Sequence, residues 1–180
     1  MAFGRGAAIE PDNPVHLHGA AVAARRLGDY AAAEDNYRAA IVAAEKLPAD
    51  EGVNATAMAM SLVDLYRDQG RFKEAERLCI RVLGSSRSGC SKVAPGRIQV
   101  CLGEIYRKQG RFAAAEQAFR AALADRRATF GDRHPKTVQV FPRLADVCRI
   151  MGRNGEAEDL SRQAVVAFGA LDRAKAAAHA

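Results

Sequence analysis

The sequence predicts an all-α fold, an α-solenoid of four stacked helix-turn-helix repeats with about eight helices. The stretch LYRDQGRFKEAE at 65–76 recurs as IYRKQGRFAAAE at 105–116, and related copies occupy 25–41 and 149–165. The composition is rich in alanine and lacks tryptophan, which favours helices over strands. Repetition at a near-fixed period is typical of stacked helical hairpins. The turn glycines are spaced 42, 40 and 42 residues apart and are Gly28, Gly70, Gly110 and Gly152.

Each copy is predicted to form two helices around its glycine. Apolar residues recur at helical spacing on both sides, and glycine ends the first helix by adopting the left-handed conformation at little cost. The expected first helices lie near 14–27, 56–69, 96–109 and 137–151. The expected second helices lie near 30–47, 72–84, 112–128 and 155–170. The repeats therefore span 14–55, 56–95, 96–136 and 137–170, after a flexible segment at 1–13 and before a tail at 171–180, which either frays or extends as a short solvating helix.

Small and aromatic residues recur at fixed places in the copies. An alanine one turn into each second helix allows the two helices of a repeat to approach closely. In the second and third copies, aromatic residues lie four residues before and two residues after the turn glycine. These signature residues are Ala33, Ala75, Ala115 and Ala157, with Tyr66, Tyr106, Phe72 and Phe112. The fourth copy has Asn154 and Ser161 at positions that are apolar elsewhere, which favours a terminal repeat with an outer face in water.

The pattern resembles the tetratricopeptide repeat, in the longer variety of about 42 residues found in kinesin light chains. The link FGDRHPKT, Phe130 to Thr137, is similar to the G-x-x-H-P-x-T connection of that subclass. The resemblance covers roughly residues 14–170. It implies a right-handed superhelix whose concave groove recognises short peptide motifs, some of them acidic.

Composition limits the other classes of function. The net charge of +6 permits nucleic-acid binding, but the basic residues are spread along the chain, so we do not expect it. No apolar run is long enough to cross a bilayer, and the first residues do not form a secretory signal. None of the four cysteines forms a C-x-x-C pair, which favours reduced thiols in the cytoplasm. Cys90 is expected in an exposed loop.

No enzymatic motif is present, so we expect no catalytic residues, metal, cofactor or small-molecule substrate. His16 and His18 would point about 200° apart on a helix, which is poor geometry for binding one metal. His134 is expected to form a hydrogen bond at a helix end. The protein is therefore expected to bind other molecules rather than transform them.

The expected binding surface lies on the first helices. An arginine lies three residues before each turn glycine. In three of the copies, an acidic residue lies six residues before the same glycine. This arginine ladder consists of Arg25, Arg67, Arg107 and Arg149. Its neighbours are Asp64, Glu104 and Asp146, with Met60 and Val100 as apolar contacts for a bound peptide. Arginine is suited to bind carboxylates. The acids and arginines are also i, i+3 pairs, so a purely local role remains open, and Arg25, with no acid at Val22, is expected to be the freest.

Three functions remain open. The first is a scaffold or adaptor that binds a protein or peptide, either acidic or not, in the concave groove. The second is a self-associating structural module that stacks through the outer faces of the first or fourth repeat, and an adaptor that forms homo-oligomers would satisfy both. The third is a basic helical repeat protein that binds nucleic acid, with affinity falling steeply with salt.

Overall fold

The computed structural model describes residues 13–47, 54–87 and 95–178, and every regular element in these ranges is helical. Cys90 lies outside the described residues. The helices are α1 Pro14–Leu27, α2 Tyr30–Glu45, α3 Ala55–Asp68, α4 Phe72–Arg87, α5 Pro95–Lys108, α6 Phe112–Phe130, α7 Pro135–Val138, α8 Val140–Ile150 and α9 Asn154–Ala178. The chain divides into two compact units, one with α1 to α3 and the start of α4 to Leu78, the other from Cys79 to α9.

The repeat turns form as the sequence predicts. The four turn glycines have φ angles between 71° and 82°, a conformation that residues with a Cβ rarely adopt. After each glycine, the next backbone N–H bonds to a carbonyl five residues earlier, as Arg71 N does to Tyr66 O at 2.8 Å. This bond satisfies a carbonyl at the end of the first helix and reverses the chain direction.

Short polar side chains fix several helix starts. Asn13 and Asn54 cap α1 and α3, and Asp29 caps α2 through a 3.0 Å bond from Ala32 N to Oδ1. His134 caps α7, because its Nδ1 accepts a bond from Lys136 N at 3.2 Å. This is the helix-end hydrogen bond expected from the sequence.

The fourth repeat departs from the expected helix bounds. A single first helix at 137–151 was predicted, but the structure has α7 and α8, with Gln139 between them. Pro142 explains the break, because it has no N–H to donate to Val138 and its ring crowds that carbonyl. Helix α9 continues to Ala178, so residues 171–178 of the tail extend the helix, and the last two residues lie outside the described residues.

Alanine and glycine set the close approach of the helices within a repeat. The four signature alanines are at most 2% exposed. In the second unit, a Cβ on Gly103 of α5 would lie 2.5 Å from the ring of Phe119 on α6. The core of this unit is a cluster from α6 to α9 that includes Phe119, Leu144 and Val147. The small residues thus let the two helices of a repeat pack closely against each other.

Candidate functional site

The ladder arginines are held by acids. Arg67 lies 3.0 Å from Asp64, Arg107 lies 3.0 Å from Glu104 and Arg149 lies 2.8 Å from Asp146. These three arginine side chains keep between 34% and 58% of their surface exposed. All three i, i+3 pairs that the spacing allows are therefore formed. Each pair contributes only a few tenths of a kcal/mol to its helix.

Arg25 is not the freest arginine of the ladder, contrary to expectation. It forms an ion pair with Asp68, which lies on α3 of the next repeat. Its own helix offers no acid six residues before the turn glycine, and the partner lies 43 residues away. Helix stacking supplies this partner, so local spacing could not reveal it.

Glu104 joins two helices of the second unit. Its carboxylate accepts bonds from Nε and Nη2 of Arg107 on α5, at 3.1 and 3.0 Å, and from Nε of Arg143 on α8, at 3.0 Å. Sequence reasoning did not single out Arg143. Glu104 is therefore anchored between two cations rather than free to bind a ligand.

Of the two apolar residues assigned to the binding surface, Met60 needs correction. Met60 is fully buried, and Val100 is partly buried against the core cluster of the second unit. Around Met60, neighbouring residues on several sides of α3 are buried as well, including Ala59, Leu62 and Val63. The buried stripe of α3 is thus wider than the helical wheel indicated, and Met60 is not available to a ligand in this structure.

An open groove lies beside Arg25 in the first unit. It has a volume of about 380 Å³ and is lined by Val22, Arg25, Arg26, Tyr30, Tyr37, Ser61 and Asp68. His18 supports its base, with Nε2 3.0 Å from Ser61 Oγ and its ring 5.4 Å from that of Tyr37. Arg26 is exposed and has no ion-pair partner among the described residues. The groove therefore combines aromatic surface with one unpaired cation.

A second set of ionic contacts joins successive repeats and was not predicted. In the first unit, Glu34 on α2 binds Arg71 of the next repeat at 2.5 Å and Arg38 at 2.7 Å. The hydroxyl of Tyr66 donates to Glu34 at 2.9 Å, and Arg71 lies 4.5 Å above the Tyr66 ring. Arg71 also binds Glu74 at 3.0 Å. We call Glu34, Arg38, Tyr66, Arg71 and Glu74 the first junction cluster.

The second junction cluster repeats this arrangement 82 residues later. It comprises Glu116, Arg120, Cys148, Arg153 and Glu156. Glu116 binds Arg153 at 2.5 Å and Arg120 at 2.9 Å, and Arg120 and Arg153 both also bind Glu156. Burial, and then the charge of Glu156, raise the pKa of the Cys148 thiol.

Metal binding at the second junction cluster is opposed by its own cations. Ligand atoms of Glu116, Cys148 and Glu156 lie within 4.8 Å of one another. Both carboxylates are already neutralised by arginine, and the thiol is buried and held protonated. The cluster is therefore a structural joint between repeats.

Comparison with known families identifies the fold. Two family models, both described as tetratricopeptide repeat, match residues 56–88 and 96–167, which together make up more than half of the chain. The chain belongs to the tetratricopeptide repeat family. Such repeats are generally protein–protein interaction modules and typically non-catalytic. No curated protein matches the chain significantly in sequence.

Solved structures agree with this fold. A putative kinesin light chain repeat protein from Podospora anserina is 20% identical, with a TM-score of 0.72 over 91% of this chain and 78% of that one. MamA from Desulfovibrio magneticus is 13% identical, with a TM-score of 0.69 over 91% and 80%. BtubC from P. vanneervenii is 18% identical, with a TM-score of 0.61 over 89% and 84%. None of the described helices is long and apolar enough to span a membrane.

Proposed function

We propose that the chain is a non-catalytic scaffold or adaptor that binds a peptide segment of a partner protein on the exposed side of its first helices. The observation that carries this proposal is the groove beside Arg25. Val22 and Tyr30 offer apolar and aromatic surface there, above the buried Tyr37, and the unpaired guanidinium of Arg26 offers charge. A peptide with an acidic residue next to an apolar one fits this combination.

The ion pairs of the ladder are compatible with binding. A guanidinium has five N–H donors, and the bonds of Arg67 and Arg149 to their acids each use only one Nη1 group. Each acid holds its arginine in one orientation, so a ligand carboxylate meets a donor that has already lost much of its freedom. The ladder supports an acidic ligand as a secondary, charge-steering surface rather than as the anchor.

The test begins with selection of binders from a random peptide library on the folded full-length chain. The selected peptides are then titrated by fluorescence anisotropy against a groove variant with Arg25, Arg26 and Arg67 changed to glutamine. The matched control changes Lys46, Lys73 and Arg77 to glutamine, all three of which are exposed on the second-helix side of the same unit. We expect at least a tenfold loss of affinity in the groove variant and less than a twofold change in the control.

The same titrations separate the competing explanations. Equal loss in both variants would mean that net charge alone attracts the peptides, which would contradict the proposed site. No change in either variant would place binding elsewhere and leave the ladder with its local role. A further variant, with Arg107 and Arg149 changed to glutamine, measures the contribution of the second unit separately.

A further inference from the structure

Helix α9 exposes a position that α2 and α6 bury and that α4 half-buries at Leu83. Thirteen residues after the turn glycine stand Ile41 on α2, Leu123 on α6 and Val165 on α9. Ile41 is 4% and Leu123 is 7% exposed, whereas Val165 is 71% exposed. Helix α3 packs against α2, and α8 packs against α6. The position is therefore one that the first helix of a following repeat covers.

The charged part of the same surface is also repeated on α9. Glu34 and Glu116 each bind the arginine that follows the turn glycine of the next repeat, Arg71 and Arg153. The equivalent acid on α9 is Glu158. It is exposed and has no ion-pair or hydrogen-bonded partner in the part of the chain that the structure describes.

Two further residues complete this surface. Arg162 corresponds to Arg38 and Arg120, which contact Tyr66 and Glu156 of the following repeat. Phe168, one turn beyond Val165, is 41% exposed. We call Glu158, Arg162, Val165 and Phe168 the α9 face.

We propose that the α9 face docks a helical hairpin of a partner protein, one that carries an arginine directly after its turn glycine and large aliphatic residues on its first helix. The arginine would bind Glu158 as Arg71 binds Glu34, and the aliphatic side chains would cover Val165 and Phe168. The charge and the apolar pattern of the face are those that the chain itself uses at two junctions. This site is independent of the proposed peptide groove.

The chain's own first hairpin does not fit the α9 face. After its turn glycine stands Asp29, which would face Glu158 with like charge. Its first helix has Ala20 and Ala23, both exposed, at the positions of Leu62 and Leu65 in the second repeat. Head-to-tail stacking of identical copies would also continue into an open filament. The first hairpin of a second copy is therefore not the expected occupant.

These differences define a probe. The full-length chain with Ala20→Leu, Ala23→Leu and Asp29→Arg presents a first hairpin of the required chemistry. Glu158→Arg and Val165→Asp in the same chain block its own α9 face, so that it cannot assemble with itself. Circular dichroism and thermal melting establish that this probe is folded.

The probe is titrated into the wild-type chain by calorimetry, and the mass of the mixture is measured by light scattering. We expect one probe to bind each wild-type chain, while wild type alone keeps the mass of a single chain. Val165→Asp in the wild-type partner should weaken binding at least tenfold. A probe that keeps Asp29 should bind weakly to wild type but regain affinity for a Glu158→Arg partner, because the charges are then exchanged.

The results decide between the proposal and its alternatives. A folded probe that binds neither partner would overturn the proposal. Binding that is indifferent to Val165→Asp would place the contact outside the α9 face and would also overturn it. Self-association of wild type that Val165→Asp abolishes would show that the occupant is a second copy after all. If the three-residue probe does not fold, the probe that keeps Asp29 is tested with the Glu158→Arg partner.

Discussion

The two junction clusters share the ion pairs of their central glutamate but differ in one central residue, and in the second cluster Arg120 also binds Glu156. In both clusters, a glutamate of one repeat binds the arginine that directly follows the turn glycine of the next repeat. The two residues are 37 positions apart in the sequence. The first cluster has Tyr66 four residues before that glycine, and the second has Cys148. Tyr66 donates to Glu34, whereas the thiol of Cys148 is buried beside Glu116 and Glu156. The ion pairs of the glutamate are thus repeated, and in the first cluster the central residue adds a hydrogen bond to that glutamate.

Removing the central glutamate of a junction should have the largest effect on stability. After Glu116→Ala, Arg120 and Arg153 both keep Glu156 as partner, so we expect a loss of about 1–2 kcal/mol. After Glu34→Ala, the Tyr66 hydroxyl also loses its acceptor, so we expect about 2–3 kcal/mol. Urea denaturation followed by circular dichroism measures both losses.

Glu158→Ala is the matched control for this pair, because Glu158 occupies the same repeat position without a partner among the described residues. Its loss should be within about 0.5 kcal/mol. Equal losses at all three glutamates would mean that the position acts through helix propensity and not through the junction.

Sequence reasoning reached the fold because the repeat signals are local. The turn glycines, the alanines at close contacts and the apolar stripes can each be recognised from residues that are close in sequence. Pro142 is the one local signal that was overlooked. The three i, i+3 pairs of the ladder were found for the same reason. Met60 was misplaced because the width of a buried stripe depends on what packs around the helix.

The junction clusters were missed because their partners lie in different repeats. A signal was present: a glutamate follows each of the four signature alanines, and Arg71, Arg111 and Arg153 follow the last three turn glycines. Opposite charges at two fixed repeat positions indicate contact between neighbouring repeats. Only stacking decides which pairs meet, so Arg25 with Asp68 and Glu104 with Arg143 could not be derived from spacing.

Acid should weaken both junctions. Hydrogen bonds from Arg153 and Arg120 hold the pKa of Glu116 below its ordinary value of 4.5, against the opposing effect of burial. Burial would raise the pKa of Glu34, but bonds from Arg71 and Tyr66 outweigh it and lower the pKa. A lowered carboxyl pKa stabilises the fold above the unfolded value and loses that contribution as pH falls through the folded value.

We therefore expect the free energy of unfolding to fall as the pH drops from about 5 towards 3, with the midpoint of the loss below 4.5. Urea titrations at several pH values measure it. The variant with both Glu34→Gln and Glu116→Gln should show a shallower decline over this range. An unchanged pH profile would mean that other carboxylates govern acid unfolding, and it would contradict the role given to the junctions.

The difference between Tyr66 and Cys148 should give the smallest but most specific effect. Tyr66→Phe removes the hydroxyl that joins Glu34 and Arg38 but keeps the ring beneath Arg71, so it should cost about 1 kcal/mol. Combined with Glu34→Ala it should show a coupling of similar size, because both changes break the same hydrogen bond.

Cys148→Ala combined with Glu116→Ala should show coupling below about 0.5 kcal/mol, since the ion pairs of Glu116 do not depend on the thiol. Similar coupling energies for the two pairs of substitutions would mean that the Cys148 thiol stabilises Glu116 as much as the Tyr66 hydroxyl stabilises Glu34. The two junctions would then be equivalent.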